Sequence, residues 1–150
     1  MSQADHDLYE QIKELRERFI YMSRRVLADE ELFILARLGK NEDTKTRIND
    51  LIMIITQLKV FINNSESDPI AMRKVQNLLR NVQIVDPMIN ILLKGLYFDS
   101  AIHRHLFQEV LDFMYMYVKD NPVSQQTLIP HMAYLLSLVN RELNSCKVIA

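Results

Sequence analysis

Two histidines and a glutamate on one predicted helix are the nearest approach to a metal or acid–base site. His103 and His105 are two positions apart, so on a regular helix they point to nearly opposite sides and cannot bind one metal ion together. His105 and Glu109 have the four-residue spacing that places two ligands on one face, but no third ligand accompanies them. The sequence therefore predicts no metal centre.

The other chemically capable side chains do not form a catalytic motif. Cys146, the single cysteine, lies in a weakly patterned tail, and His131 follows Pro130, where a surface or capping histidine is expected. The chain has no phosphate-binding glycine loop, no nucleophile motif and no zinc or calcium spacing. We therefore expect a protein that is not an enzyme and that needs no cofactor.

Composition excludes several classes of partner. The 18 basic and 19 acidic residues give a net charge of -1, without the basic excess that binding to nucleic-acid phosphates requires. The longest apolar run, residues 51–62, is shorter than the ~20 residues of a membrane span, so no direct membrane insertion by this segment is expected. One cysteine excludes an intrachain disulfide, which suits the cytosol.

Apolar residues recur every three or four positions through most of the chain, as on one face of an α-helix. The first predicted helix has the most regular stripe, formed by Leu8, Ile12, Leu15, Phe19, Met22 and Val26. This stripe is too short for a sustained coiled coil, so we expect the helix to pack within its own domain. Asp29 is predicted to cap a short second helix that ends at Gly39.

Two further predicted helices, at about residues 46–62 and 100–119, are apolar on two adjacent faces. Such a helix needs neighbours on both sides. No strand pattern competes with this reading, and only two glycines and four prolines occur among the 150 residues. The predicted fold is all-α, with about seven to eight helices in an armadillo-like stacked repeat, a segment of an α-solenoid; a compact bundle is the alternative.

Helix starts in the second half are marked by short polar signals. The pairs Asp68 with Pro69 and Asp86 with Pro87 each combine a capping residue with a proline suited to the first helical turn. The stretch AMRKVQNLLRNVQIVDP (71–87) is predicted to form a helix, a break at 83–85 and the start of a second helix. The helix that follows Asp86 and Pro87 is predicted to stop at Gly95. A short helix is predicted from Ser124, and Pro130 opens a last one that contains Val139.

Polar side chains in two parts of this region have a predicted role. The segment NPVSQQ (121–126) places amides and a hydroxyl where two helices meet, and these groups can satisfy open backbone groups there. Arg73, Lys74 and Arg80 form a small basic group on one helix, which is either a solvated face or a partner surface.

The order of these features resembles the RIH domain shared by inositol trisphosphate receptors and ryanodine receptors, most closely the second RIH domain of inositol trisphosphate receptors. The resemblance covers roughly residues 48–140 and departs from the pattern at Ser124, where asparagine is usual, and at Pro122. The matching motif residues are Gln76, Leu78, Leu79, Arg80, Asn81, Asn121 and Gln125.

The resemblance implies a division into residues 1–47, which precede or join the repeat, an RIH-like domain at 48–140 and a tail at 141–150. It further implies a scaffold and coupling module of an intracellular calcium-release channel at the cytosolic face of the endoplasmic reticulum, without the ligand site or the pore. The implied partners are other domains or subunits of the channel. A free-standing helical adaptor that binds a protein partner is the alternative.

Overall fold

The computed structural model describes residues 3–36, 42–92 and 101–137. The predicted stops at Gly39 and Gly95, the predicted helical residue Val139, Cys146 and the tail 141–150 lie outside the described residues. The helical segments are α1 Gln3–Ala36, α2 Glu42–Asn63, α3 Pro69–Asn81, α4 Val85–Pro87, α5 Ala101–Val118, α6 Pro122–Leu128 and α7 Met132–Ser137. A π-helical segment, Met88–Leu92, follows α4, and a 3₁₀ turn, Ile129–His131, precedes α7.

Helix α1 is longer than predicted. It continues through Asp29 without a break, so the prediction that Asp29 caps a separate second helix is wrong. A capping residue adopts extended backbone geometry, and the chain around Asp29 has no glycine or proline to interrupt the helical hydrogen bonds. The predicted stripe is correct, because Ile12, Phe19 and Val26 are fully buried.

Helix α2 is the central element of the described fold, since it packs along α1 on one side and along α5 on the other. Its burial confirms the prediction of two apolar faces: Leu51, Ile54 and Leu58 are all inaccessible to solvent or nearly so. Lys59 of α2 and Glu109 of α5 form a salt bridge between the two helices, with 2.7 Å between Nζ and Oε2. The domain boundary predicted between residues 47 and 48 falls within α2.

Helix α3 begins with the predicted signal and ends with an unpredicted turn. The Asp68 side chain accepts a hydrogen bond from the Ile70 amide, and Pro69 occupies the first turn. At the other end, Gln83 adopts a left-handed conformation with φ of 55°, and Ile84 N–H donates to the Leu79 carbonyl. This pattern is a Schellman-type helix end. The break therefore covers Val82 to Ile84, one residue earlier than predicted.

Asp86 does not cap the next helix, contrary to the sequence prediction. Helix α4 starts at Val85, its N-cap is Ile84, and no side chain caps it. The Schellman turn returns the backbone to helical geometry at Ile84, so the new helix starts before Asp86 is reached. The Asp86 carboxylate instead lies 3.3 Å from Nε2 of His131.

The chain after α5 also begins its next helix earlier than predicted. Asn121 is the N-cap of α6, which starts at Pro122 rather than Ser124. The Asn121 side chain accepts from the Ser124 amide, so Ser124 lies inside the first turn. Pro130 lies in the 3₁₀ turn that leads into α7.

The core is apolar and is built mainly from α1, α2 and α5, with α3 packed against all three. Its largest fully buried side chains are Phe19, Phe107, Phe113 and Tyr117. No strand occurs in residues 3–36, 42–92 and 101–137, so the all-α prediction is confirmed for the part of the chain that the structure describes.

Candidate functional site

The most distinctive polar feature is the end of α5, whose last carbonyl groups are bound by side chains from other segments. A helix leaves its final carbonyls without helical partners, and burial of those groups is costly unless they are hydrogen-bonded. The chain turns sharply here, because Asp120 has a left-handed φ of 54° and Asn121 is extended. We call this region the interhelical joint: the end of α5, the start of α6 and the α3 face that contacts them.

Gln76 of α3 is the centre of the joint. Its side chain is 1% exposed, and Nε2 donates to the carbonyls of Met116 and Lys119, each at 2.9 Å. One amide group from α3 thus binds two carbonyls at the end of α5. Its Oε1 accepts from Nδ2 of Asn121 at 3.1 Å, so the amide is used on both sides.

Asn121 connects this amide to α6. Its Oδ1 caps α6 by accepting from the Ser124 amide at 3.2 Å, while Nδ2 donates to Gln76 and also to Oδ1 of Asn77 at 3.3 Å. The side chain is 1% exposed and therefore has little access to water as a substitute partner. Replacement of Asn121 would remove a helix cap and a bond between helices together.

Arg80 extends the network from α3 to α6. Its Nη1 donates to Oδ1 of Asn77 at 2.9 Å and to Oγ of Ser124 at 3.3 Å. Ser124 is fully buried, so the guanidinium reaches α6 at a point shielded from solvent. Arg80 therefore holds α3 to α6.

Three further contacts surround the buried part of the joint. Arg73 donates through Nη2 to the Asp120 carbonyl at 2.6 Å, and Gln125 donates through Nε2 to the Val118 carbonyl at 3.1 Å. The hydroxyls of Tyr117 and Thr127 are 2.9 Å apart and connect α5 to α6. The prediction that NPVSQQ satisfies backbone groups where two helices meet is confirmed by the Asn121 and Gln125 bonds.

The structure brings together four of the seven motif residues named from the sequence. Gln76, Arg80, Asn121 and Gln125 all bind within the joint. Leu78 and Leu79 are core residues, and Asn81 is exposed at the last position of α3.

Asn77 was missed by the sequence analysis, although it accepts from both Asn121 and Arg80. Its position next to Gln76 was visible, but nothing in the sequence pattern shows which of two adjacent amides faces a distant helix. The Met116 and Lys119 carbonyls were also missed, because backbone acceptors carry no residue-type signal.

His103 and His105 differ in their exposure to solvent. His103 is 6% exposed, whereas His105 is exposed and lies 3.6 Å from Oε1 of Glu109. Within the described residues, no group of three or more His, Cys, Asp or Glu side chains is arranged to hold a metal ion. No helix in the same part of the chain has both the length and the apolar character needed to cross a membrane.

The basic residues Arg73 and Lys74 line a surface groove beside α3 with a volume of about 510 Å³. The other lining residues are Asp5, Pro69, Ile70, Asn77 and Leu78. Arg73 and Lys74 therefore border the groove and Arg80 does not, while both Arg73 and Arg80 contact the joint.

In comparisons with protein-family models, curated proteins and solved structures, no match to this chain was found.

Proposed function

We propose that this chain is a helical scaffold whose work is to hold α3 and the α5–α6 turn as one rigid unit and to transmit displacement between them. The observation that carries the proposal is the buried bond set of Gln76 and Asn121. Buried polar networks with every member paired fix one arrangement of the surrounding helices, because any other arrangement leaves polar groups unpaired. Conformational coupling through rigid helical elements requires such a joint.

The resemblance to the RIH domain extends this proposal to a calcium-release channel. In this proposal the chain is part of the armadillo-like cytosolic scaffold of an inositol trisphosphate receptor-like channel at the endoplasmic reticulum, and its partners are other domains or subunits. Support comes from the roles of Gln76, Arg80, Asn121 and Gln125, since these four of the seven residues that carry the resemblance bind within the joint. Such residues are expected to recur in a family when they maintain a joint.

Hydrogen exchange tests the coupling itself. If the joint is one unit, amides of α3 and α6 open with a common free energy in the native chain. Gln76→Leu keeps the side-chain volume approximately but removes all three bonds, so α6 should lose protection while the α1–α2 core retains it. Gln125→Ala, at an exposed joint position, is the matched control and should leave α6 protection nearly unchanged. Equal protection of α6 in Gln76→Leu would overturn the proposed coupling.

Immunoblotting of cell fractions with an antibody against this chain tests the channel assignment. A membrane-fraction band many times larger than the 17.7 kDa of this chain is the expected result. A cytosolic band at 17.7 kDa would overturn the channel assignment. It would favour the second candidate, a free-standing adaptor, for which the groove beside α3 is the supporting observation.

A further inference from the structure

The groove beside α3 combines an exposed apolar side chain with an unneutralised cation. Ile70 is 80% exposed, which is the largest exposure among the large apolar side chains that the structure describes. Leu78, two helical turns further along α3, is 7% exposed and also lines the groove. Pro69 lines the groove as well, so its wall is largely apolar. Contiguous apolar surface of this kind is typical of docking sites, whereas single exposed apolar side chains are not.

The charged side chains around the groove differ in whether they have an oppositely charged partner. Lys74 is paired with Asp5 of α1, with 3.2 Å between Nζ and Oδ2, and the Asp68 carboxylate accepts from the Ile70 amide. Arg73 makes its hydrogen bond to a neutral group, the Asp120 carbonyl, and among the described residues no carboxylate lies within ion-pairing distance of its guanidinium. The remaining N–H groups of Arg73 can therefore receive a carboxylate.

The dimensions of the groove favour a helix as the occupant. The distance from Ile70 to Leu78 along α3 is about 12 Å, or two helical turns. Asp5 places the start of α1 on the same groove, so its sides come from two helices. A groove between two helices accepts a third helix that presents apolar side chains at positions i, i+3 or i+4, and i+7.

We propose that this groove docks an amphipathic helix of a partner protein, which places leucine-like side chains against Ile70 and Leu78 and a carboxylate on Arg73. This inference rests on the proposed scaffold function, because it names the class of neighbour that such a scaffold would hold. Charge complementarity at Arg73 selects an acidic helix over a basic one.

The probe is a short synthetic peptide with leucines three and four positions apart and glutamates beside them, labelled with fluorescein and titrated with the full chain. A second peptide carries lysine in place of each glutamate. Fluorescence anisotropy should show that the glutamate peptide binds at least about tenfold more tightly. Amide chemical shifts of the ¹⁵N-labelled chain should change mainly at residues 70–78.

Variants identify the two contacts separately. Ile70→Ser should weaken binding of the glutamate peptide about tenfold, and Arg73→Glu should reverse the preference toward the lysine peptide. Met53→Ser and Arg24→Glu remove an exposed apolar and an exposed basic side chain outside the groove, and both variants should bind like the native chain. All four positions are exposed, so each variant is expected to fold.

Equal affinity for the two peptides, equal losses in the control variants, or absence of saturable binding would each overturn the docking proposal. Self-association of the chain that is abolished by Ile70→Ser in sedimentation velocity would identify a second copy as the occupant of the groove and would also overturn that proposal. Peptide binding by the native chain and by Ile70→Ser is independent of hydrogen exchange at Gln76, which is buried in the joint. Arg73 also contacts the joint through the Asp120 carbonyl, so Ile70→Ser is the variant that separates the two proposals. If the peptide does not bind but hydrogen exchange shows intact coupling, the docking proposal is overturned and the scaffold function stands. If the peptide binds but coupling is absent, the scaffold function is overturned.

Discussion

At the residue scale, the chain uses side-chain amides where many helix ends use glycine or water. Gln76 Nε2 binds two carbonyls of α5, and Asn121 both caps α6 and binds Gln76. Each of these amides is 1% exposed, so a lost partner cannot be replaced easily by solvent. The stability of this part of the fold should therefore depend on a few polar residues as strongly as on apolar ones.

A double-mutant cycle at Gln76 and Asn121 measures this dependence. We expect Gln76→Ala and Asn121→Ala each to lower the free energy of unfolding by about 2–3 kcal/mol, because each leaves buried partners unsatisfied. The double variant should lose less than the sum, with a coupling energy of about 1 kcal/mol or more. Gln125→Ala, which removes an exposed bond, should cost less than about 0.5 kcal/mol. Urea denaturation gives all four values, and additive losses would show that the two amides act independently.

At the element scale, two left-handed residues set the directions of the helices that follow. Gln83 ends α3, and Asp120 separates α5 from α6. Neither is glycine, so each carries the steric cost of a side chain at positive φ. The Asp120 carbonyl is bound by Arg73, whereas the Gln83 side chain is exposed. A substitution at Gln83 can therefore remove this steric cost without the loss of a buried contact.

Gln83→Gly should raise the free energy of unfolding by about 0.5–1 kcal/mol, because glycine adopts the left-handed conformation without a Cβ clash. Gln83→Ala is the control for loss of the side chain beyond Cβ, and it should be nearly neutral. Thermal or urea unfolding followed by circular dichroism provides the measurement. A destabilised Gln83→Gly variant would contradict the account of this turn as a strained Schellman end.

At the scale of the whole molecule, the described fold is a layer of helices with α2 between α1 and α5 and with apolar side chains left on its outside. The exposed apolar residues come from several helices, and those more than half exposed are Tyr21, Met53, Ile70, Val123 and Ile129. In a stacked repeat, neighbouring repeats cover such positions. The isolated chain would then present them to water.

We therefore expect the isolated chain to self-associate in dilute solution. Sedimentation velocity should show a weight-average mass that increases with protein concentration. A chain with Met53→Ser and Ile129→Ser together should remain closer to the monomer mass at each concentration, since two of the most exposed apolar groups are gone. A constant 17.7 kDa species in the native chain, with a sharp cooperative melt, would count against the stacked-repeat proposal.

The sequence alone was sufficient for local features. Helical periodicity identified the buried faces of α1, α2 and α5, and Asp68 with Pro69 marked the start of α3, because these depend on residues within a turn or two of one another. The same local signals failed at Asp29 and Asp86, where the helical backbone continues through the residue or starts before it. A capping residue acts only if the backbone is extended at that position, and residue type does not impose that geometry.

Only the tertiary structure decided what the polar residues of the joint bind. Gln76 and Asn121 are separated by many residues in sequence, yet their side chains are 3.1 Å apart. Their partners include backbone carbonyls, which look alike at every position of a sequence. The different partners of Arg73 and Arg80 are likewise a result of packing, because the two residues share a helix but contact different residues, Asp120 and Ser124. Periodicity determines which face of a helix is buried, and long-range packing determines which groups meet there.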